Sequence, residues 1–220
     1  MTTLQITDTS IPPLKLDDTS AKALQLMSEY KVSHLPVVDD QLYLGLISKD
    51  DLAGKNDSTL PVEFFRENLL PASVNEAQHF LNAVAVYNLY RTNLIPVIND
   101  SHEFVGAIHD FSLIKAMGDL CGANEFGALV VFEIEATKLS ISEINGIVES
   151  DGAIILHLNI YHQPPSPLLQ VTLQINKREI STIIASFERY EYSVLFYSGE
   201  ELFENEISSN YQNLMNYLDI

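Results

Sequence analysis

The sequence has a single cysteine, Cys121, and therefore cannot form a disulfide within the chain. Small secreted domains commonly depend on disulfides, whereas thiols stay free in a reducing compartment. The first ten residues, MTTLQITDTS, also lack the basic segment and the apolar stretch of a secretory signal. Together these absences predict a cytoplasmic protein.

Long apolar runs are missing as well. Runs such as GALVVFEI and GAIILHL have the length of a strand and fall far short of the roughly 20 residues that span a bilayer. Apolar residues nevertheless make up 46% of the 220 residues, which is enough for one large core or two domains of ordinary size. We expect a soluble globular protein without a transmembrane helix.

Basic residues are few, with 12 Lys and Arg side chains against 30 Asp and Glu and a formal net charge of −18. Nucleic acids and anionic membranes are bound through basic faces, so neither is an expected partner. A small anion would have to be held by local backbone N–H groups and a few well-placed cations.

Motifs for catalysis and metal binding are also absent. The sequence has no Gly-x-Ser-x-Gly, Walker loop or His-Glu-x-x-His motif and no cysteine pair, and its six histidines show no metal-ligand spacing. We expect neither an enzyme nor a metal site. The alternative is that the protein is an enzyme, namely a hydrolase that uses the histidines.

What the sequence does contain is an internal repeat. KVSHLPVVDD at 31–40 and RTNLIPVIND at 91–100 align through Pro36 and Pro96, and the match extends backwards without a gap. Such self-similarity indicates a duplicated structural unit. We place the repeats at about 8–55 and 62–118, within a module that covers residues 1–120.

Each repeat has the pattern of a small mixed α/β unit. Helical spacing of apolar residues follows a cap at Asp17 or Asp18 in the first copy and a capping box of Asn75 with Gln78 in the second. Two short strands and another helical stretch follow in both copies. The expected order is strand, helix, strand, strand, helix.

Residues 8–118 resemble a tandem pair of cystathionine-β-synthase-type (CBS) domains, known as a Bateman module. The resemblance rests on the duplication together with HLPVVDD…YLGLISKDDL and LIPVIND…FVGAIHDF. It implies an α+β fold with two clefts that often bind AMP, ADP, ATP or S-adenosylmethionine.

The resemblance also implies roles for residues of the first cleft. Ser48 would donate to a phosphate, Asp51 would accept the ribose hydroxyls, and Lys49 would add positive charge. The free N–H groups where GLISKDDL passes from strand to helix would face the phosphate. The alternative is that Ser48 and Asp51 only cap a helix. The expected apolar walls and the cleft mouth are Pro12, Leu14, Leu35, Pro36 and His34.

The second cleft departs from this pattern, because His109 stands where the first copy has its serine and Ser112 where it has its aspartate. His109 can meet a phosphate if it is protonated, or it can be a hydrogen-bonded structural residue. Thr92 and Asn93 are expected to line either cleft.

Residues 126–200 have a different pattern, βαββαβ, which is the ferredoxin-like order. This half resembles an ACT-type regulatory domain, and the whole arrangement is similar to acetoin-utilisation-type CBS/ACT proteins. The loop EATKLS lacks the glycine that amino-acid-binding ACT domains often carry, so pairing with another ACT-like domain is the expectation. Residues 201–220 predict an amphipathic helix that docks on its own domain.

The sequence thus predicts a regulatory, non-catalytic homodimer that binds an adenine nucleotide (AMP, ADP or ATP, with or without Mg²⁺) or S-adenosylmethionine, with no obligatory cofactor. The alternative is a structural dimerisation module with unoccupied clefts.

Overall fold

The computed structural model describes residues 1–55, 57–162 and 164–199 and divides into two compact units, Met1–Met117 and Gly118–Ile220. The helix predicted at 201–220 lies outside the described residues.

The first repeat forms a three-stranded sheet with its helices. A short 3₁₀ turn, Thr3–Ile6, precedes them. The elements are β1 (Leu14–Lys15), α1 (Ser20–Tyr30), β2 (His34–Asp39), β3 (Leu42–Ser48) and α2 (Lys49–Ala53). Strand β1 pairs in parallel with β2, and β2 pairs antiparallel with β3.

The second repeat reproduces this arrangement after a 3₁₀ turn at Val62–Asn68. Its elements are β4 (Val74–Asn75), α3 (Leu81–Tyr90), β5 (Leu94–Ile98), β6 (Phe104–His109) and α4 (Asp110–Leu120). Even the register shift is repeated, between Val37 and Val38 in the first sheet and between Val97 and Ile98 in the second. The predicted order of elements is confirmed in both copies.

The helix starts differ from the predicted caps. Thr19, one residue after the expected aspartates, is the N-cap of α1 and accepts a hydrogen bond from the Lys22 N–H at 3.3 Å. Helix α3 begins only at Leu81 and has no side-chain cap. Asn75 and Gln78 do bond to each other, with 3.2 Å between the Asn75 nitrogen and the Gln78 Oε1, but they do so in the turn before the helix.

The two repeats exchange their leading segments. Asp8 forms reciprocal backbone hydrogen bonds of 2.8 and 2.9 Å with Ala107 in β6 of the second repeat. Leu70, which leads into the second repeat, forms two bonds of 2.9 Å with Leu46 in β3 of the first. Each sheet therefore has a neighbour supplied by the other copy, and neither repeat is complete alone.

Two glycines at equivalent positions admit these exchanged segments. Gly45 has φ +151°, and a Cβ on it would lie 2.8 Å from the Leu69 Cβ. A Cβ on Gly106 would lie 2.6 Å from the Thr7 Cγ2 and 2.8 Å from the Asp8 carbonyl oxygen. The glycine of each Gly-x-x-Ser or Gly-x-x-His stretch is thus needed for close backbone approach.

Tyr43 ties β3 to the same exchanged segment. Its side chain is buried, and its hydroxyl donates to the Ala72 carbonyl oxygen at 2.7 Å. Burial raises the pKa of Tyr43 well above its usual value, and the nearby Tyr90 adds to the increase. The phenol therefore remains a neutral donor at physiological pH.

The second unit has the predicted βαββαβ order. Its elements are β7 (Ala128–Glu135), α5 (Ile141–Ser150), β8 (Ile155–His162), β9 (Leu168–Ile175), α6 (Ser181–Arg189) and β10 (Ser193–Ser198). The strands pair antiparallel in the spatial order β10-β7-β9-β8.

One face of this sheet buries an aromatic core. Phe132 of β7 lies 5.0 Å from Phe187 of α6 and 4.9 Å from Tyr192, measured between ring centroids. The Tyr192 hydroxyl donates to Glu143 of α5 at 2.7 Å. Buried and half-exposed residues alternate in β7 and in most of β9, and in β9 this alternation explains why apolar and polar residues alternate from Leu169 to Ile175.

Candidate functional site

The two strand-to-helix junctions that carry the motifs are related by the repeat. The Lys49 N–H, at the start of α2, donates to the Ser33 carbonyl oxygen at 2.8 Å. The Asp110 N–H, at the start of α4, donates to the Asn93 carbonyl oxygen at 3.1 Å. Ser33 and Asn93 occupy equivalent positions in the alignment of the repeats.

These two equivalent residues also bond directly to each other. The Asn93 Oδ1 accepts hydrogen bonds from the Ser33 backbone N–H and the Ser33 hydroxyl, both at 2.9 Å. The Asn93 Nδ2 donates to the Lys31 carbonyl oxygen at 3.2 Å. Asn93 was predicted to line a cleft. The structure shows that its side chain links the two repeats, and we call these hydrogen bonds between Asn93 and residues Lys31 and Ser33 the clasp.

At the first junction, Ser48 and Asp51 bond to each other. The Ser48 hydroxyl accepts from the Asp51 backbone N–H at 3.0 Å and donates to the Asp51 carboxylate. The other carboxylate oxygen accepts from the Asn68 Nδ2 at 3.3 Å. Ser48 is therefore the N-cap of α2, as the capping alternative expected. Each oxygen of the half-exposed carboxylate retains a lone pair for a further donor.

His34 connects this junction to the clasp. Its Nδ1 lies 2.9 Å from the Ser33 hydroxyl oxygen. That hydroxyl has one hydrogen, so its bond to Asn93 requires the imidazole Nδ1 to donate, which leaves Nε2 as an acceptor in the neutral ring. Burial lowers the pKa of His34, although the charges of Asp51 and Asp50 oppose this shift.

At the second junction, no carboxylate matches Asp51. The His109 Nδ1 is buried and lies 2.5 Å from the Asp110 carboxylate, in an orientation that does not make a regular hydrogen bond. Its ring packs against Phe111, with 4.7 Å between centroids. Hydrogen bonds from Ser10 lower the pKa of Asp8, and the electrostatic interaction with His109 contributes to the decrease.

The first repeat matches a known family. A sequence model of the CBS domain matches residues 5–56, the first repeat. The first repeat is a CBS domain. The second repeat, with the same element order and register, completes the fold of a CBS pair.

Individual proteins are similar to this chain only at low sequence identity. The inosine-5'-monophosphate dehydrogenase of Aquifex aeolicus is 27% identical over 151 residues, and the match covers 65% of this chain and only 30% of that enzyme. A CBS domain pair/ACT domain protein from Thermotoga maritima is 19% identical with a TM-score of 0.49, covering 54% of this chain and 98% of the other. A putative acetoin utilization protein from Vibrio cholerae is 20% identical with a TM-score of 0.46, covering 55% and 92%. At these levels, neither structure assigns a ligand to this chain.

The expected walls of the first CBS cleft differ in how much surface they offer. Pro12 and His34 are half-exposed, and Lys49 is exposed. Asn93, which was predicted to line either cleft, is also half-exposed, whereas Leu14, Leu35, Pro36 and Thr92 are buried.

The exchange of leading segments changes which residues lie near Asp51. Asn68 bonds to the Asp51 carboxylate, and Leu70 pairs with β3. Neither residue was predicted from the sequence, because we placed each leading segment with its own repeat. The only available signal was the alignment itself, which makes residues 68–72 the counterpart of 8–12.

Two of the open grooves on the described part of the CBS pair bear on the question of a ligand. One of about 510 Å³ lies beside the clasp and is lined by Ser33, Tyr87, Asn88, Arg91, Thr92 and Asn93. A larger one of about 1140 Å³ includes Asp17, Asp39, Asp40 and Glu103. The residues that line this larger groove include none of the junction residues Ser48, Asp51 and His109. Its four carboxylates outnumber its one cation, Lys15, and would repel phosphates, so we do not assign it to a nucleotide.

In residues 1–55, 57–162 and 164–199, no three His, Cys, Asp or Glu side chains form a group that could hold a metal ion. No helix there is both long and apolar enough to cross a membrane.

Replacing Asn93 with alanine should loosen the clasp between the CBS domains. The change removes three hydrogen bonds and leaves the Ser33 N–H without its partner, so the free energy of unfolding should fall by about 1–3 kcal/mol. Urea denaturation followed by circular dichroism measures the loss. Asn82→Ala, an exposed site on α3, is the control and should leave stability unchanged. Equal midpoints for the two variants would contradict the clasp.

Proposed function

We propose that this chain is a non-catalytic regulatory protein whose first CBS domain binds an adenosyl ligand. The observation that carries the proposal is the half-exposed Asp51 carboxylate, which lies in the first turn of α2 and is positioned by Ser48 and Asn68. A carboxylate held in this way can accept both hydroxyls of a ribose, which is the role that the CBS motif implies.

Few hydrogen-bond donors and cations of the protein are available for the phosphate part of the ligand. Two N–H groups at the start of α2 are already used, those of Lys49 and Asp51, and α2 has only five residues. The Lys49 side chain, which is exposed, and Arg91 in the groove beside the clasp remain as cations. A ligand of low negative charge, such as AMP or S-adenosylmethionine, therefore suits this strongly acidic chain better than a free triphosphate, for which Mg²⁺ should be needed.

The second CBS domain is proposed to lack such a site. Ser112 replaces the carboxylate, and the His109 ring is packed against Phe111. One adenosyl ligand per chain is the expected stoichiometry.

We also propose that the second unit is an ACT-type, ferredoxin-like domain. Its βαββαβ order and its strand order β10-β7-β9-β8 support this assignment. A regulatory role in the cytoplasm agrees with the single cysteine and with the absence of any recognisable catalytic motif in the sequence.

The alternative is a structural dimerisation module with unoccupied clefts. The mutual bonds of Ser48 and Asp51 favour it, because the two side chains already satisfy part of each other's hydrogen-bonding capacity.

A ligand screen separates the two functions. The melting temperature of the purified protein is measured with AMP, ADP, ATP or S-adenosylmethionine, with and without Mg²⁺. The affinity of each ligand that raises it is then measured by titration calorimetry. We expect at least one of these ligands to raise the melting temperature and to bind with a stoichiometry of one. Failure of all four to bind would leave the structural module as the function.

A further inference from the structure

Strand β7, an inner strand of the sheet in the second unit, is apolar on both of its faces. One face belongs to the core with α5 and α6 and consists of Ala128, Val130, Phe132 and Ile134. The opposite face, which we call the outer face, carries Leu129 and Val131, and both are half-exposed. In the neighbouring strand β9 the residues paired with them are polar, Gln174 and Thr172. A continuous apolar run in a strand indicates burial on both faces, so the sequence of β7 predicts a cover on its outer face.

The edge strand β10 extends this apolar surface. Phe196 pairs with Val131, and directly paired residues lie on the same face of a sheet. The Phe196 side chain is 52% exposed. We call Leu129, Val131 and Phe196 the outer apolar patch. It lies on the half of the sheet formed by β10 and β7, which is the half from which the chain continues.

The chain leaves the sheet beside the outer apolar patch. Ser198, the last residue of β10, pairs with Leu129 near the start of β7. Residues 201–220 follow directly and lie outside the described residues. At about 3.3–3.6 Å per residue, the five steps from Ser198 to Phe203 span up to about 16–18 Å, which is enough to reach the patch.

The sequence of residues 201–220 has one apolar stripe at helical spacing. The stripe consists of Phe203, Ile207, Tyr211, Leu214 and Leu218. At 3.6 residues per turn these five positions fall within about 80° of the helix circumference. A helix with an apolar stripe on one side packs that side against a core or a sheet.

We propose that residues 201–220 form a helix that packs on the outer apolar patch and runs in the direction of β7, so that β7 is covered on both faces. Residues four apart in a helix are separated by about 6.0 Å, and alternate residues of a strand by about 6.6 Å. Placing Phe203 over Leu129 therefore brings Ile207 over Val131. This inference does not depend on whether the first CBS domain binds a nucleotide.

This direction also keeps like charges apart. The segment has three acidic residues between 201 and 206 and no charged residue from 207 to 218. On the outer face of β7 the carboxylates, Glu133 and Glu135, stand at the far end of the strand. The uncharged part of the segment would lie over that end, and Asp219 follows the stripe. A helix in the opposite direction would bring the three acidic residues towards Glu133 and Glu135, which would repel them.

The helical side of the same unit is a poorer surface for the apolar stripe. A groove of about 530 Å³ between α5 and α6 is lined mainly by polar side chains, which include Ser140, Ser142, Ser150, Ser186 and Arg189. Covering these groups with apolar side chains would remove them from water without giving them new hydrogen-bond partners. The stripe therefore suits the outer apolar patch better.

A second copy of the chain is also a poorer occupant of the outer apolar patch. Each chain carries a formal net charge of −18, so two copies repel one another. The segment at 201–220 is tethered to β10, and a short tether gives an effective concentration on the order of millimolar. The tethered segment therefore occupies the patch before another molecule does.

Cross-linking within one chain tests the contact. In a Cys121→Ser background, the pair Val131→Cys and Ile207→Cys should be joined by a short bifunctional maleimide into a product with the mass of one chain. The matched control joins Ile207→Cys to Ser142→Cys, an exposed position on α5, and should give little such product. An equal or higher yield from the control pair, a product that joins only two different chains, or no product at all would each overturn the proposal.

Hydrogen exchange of the full chain tests what the stripe contributes. Ile207→Asp would place a carboxylate against the outer apolar patch, so the helix should detach and amide exchange in β10 should become faster by more than about tenfold. Ser208→Asp adds the same charge one residue further along, off the stripe, and should leave exchange in β10 unchanged. Equal exchange in the two variants would contradict the packing of the segment on this face.

Discussion

Replacing Asp51 with alanine should weaken binding of the adenosyl ligand by more than about tenfold. The change removes hydrogen bonds from a carboxylate to two ribose hydroxyls, and bonds to charged groups contribute about 1.5–3 kcal/mol each but rarely add fully. We therefore expect a loss of about 2–4 kcal/mol in binding free energy. Titration calorimetry with the ligand that gives the largest thermal shift measures it directly.

The repeat supplies a matched control for this experiment. Ser112→Ala changes the equivalent residue of the second CBS domain, which already lacks a carboxylate, and should leave affinity unchanged. Asp51 also belongs to the cap of α2, so the melting temperature without ligand must be compared for both variants. Equal affinities of the wild type and Asp51→Ala, with both proteins folded, would refute the ribose site.

Replacing Gly45 with alanine should lower the free energy of unfolding of the CBS pair by about 2–5 kcal/mol. A side chain at φ +151° is strained by about 1–3 kcal/mol, and overpacking costs a similar amount. Here the added Cβ would lie 2.8 Å from the Leu69 Cβ and 3.0 Å from the Leu70 carbonyl oxygen. The exchanged segment would have to move away from β3. Chemical denaturation followed by circular dichroism measures the change.

Gly146 provides the contrasting case for the glycine experiment. It lies inside α5, and a Cβ placed on it would meet nothing within 4 Å. Gly146→Ala should therefore stabilise its own unit by up to about 1 kcal/mol, because alanine has the higher helix propensity. If Gly45→Ala proved as harmless as Gly146→Ala, the close approach of the exchanged segment in solution would be contradicted.

Much of the architecture could be predicted from the chain, because local patterns determine local structure. The repeated sequence segment around Pro36 and Pro96 predicted two copies of one structural unit, and both copies have the expected order of elements. The alternation of apolar residues in β9 predicted a sheet with one buried face. The starts of the helices were less predictable, since Thr19 caps α1 in place of the expected Asp17 or Asp18 and α3 begins without a side-chain cap.

The candidate site could be predicted only in part, because local patterns determine only the contacts between residues that are close along the chain. Ser48 and Asp51 are three residues apart, and their proximity follows from the geometry of a helix start. Asn68 is 17 residues away along the chain from Asp51, and its contact depends on the exchange of leading segments. The clasp between Ser33 and Asn93 joins residues 60 positions apart. No local pattern encodes contacts across such distances.

By itself, the sequence determined the duplication, the order of elements, the acidic character and the difference between the two motifs, because these properties depend on composition and on residues that are close along the chain. Only the tertiary structure decided which leading segment lies beside which sheet, that Leu14 and Leu35 are buried, and that Asn93 bonds to Ser33. The physical reason is that the two copies have nearly the same apolar and backbone hydrogen-bonding patterns. A leading segment can therefore pair with either sheet on local grounds, and contacts between residues far apart along the chain, such as Asp8 with Ala107 and Leu46 with Leu70, decide which sheet it joins.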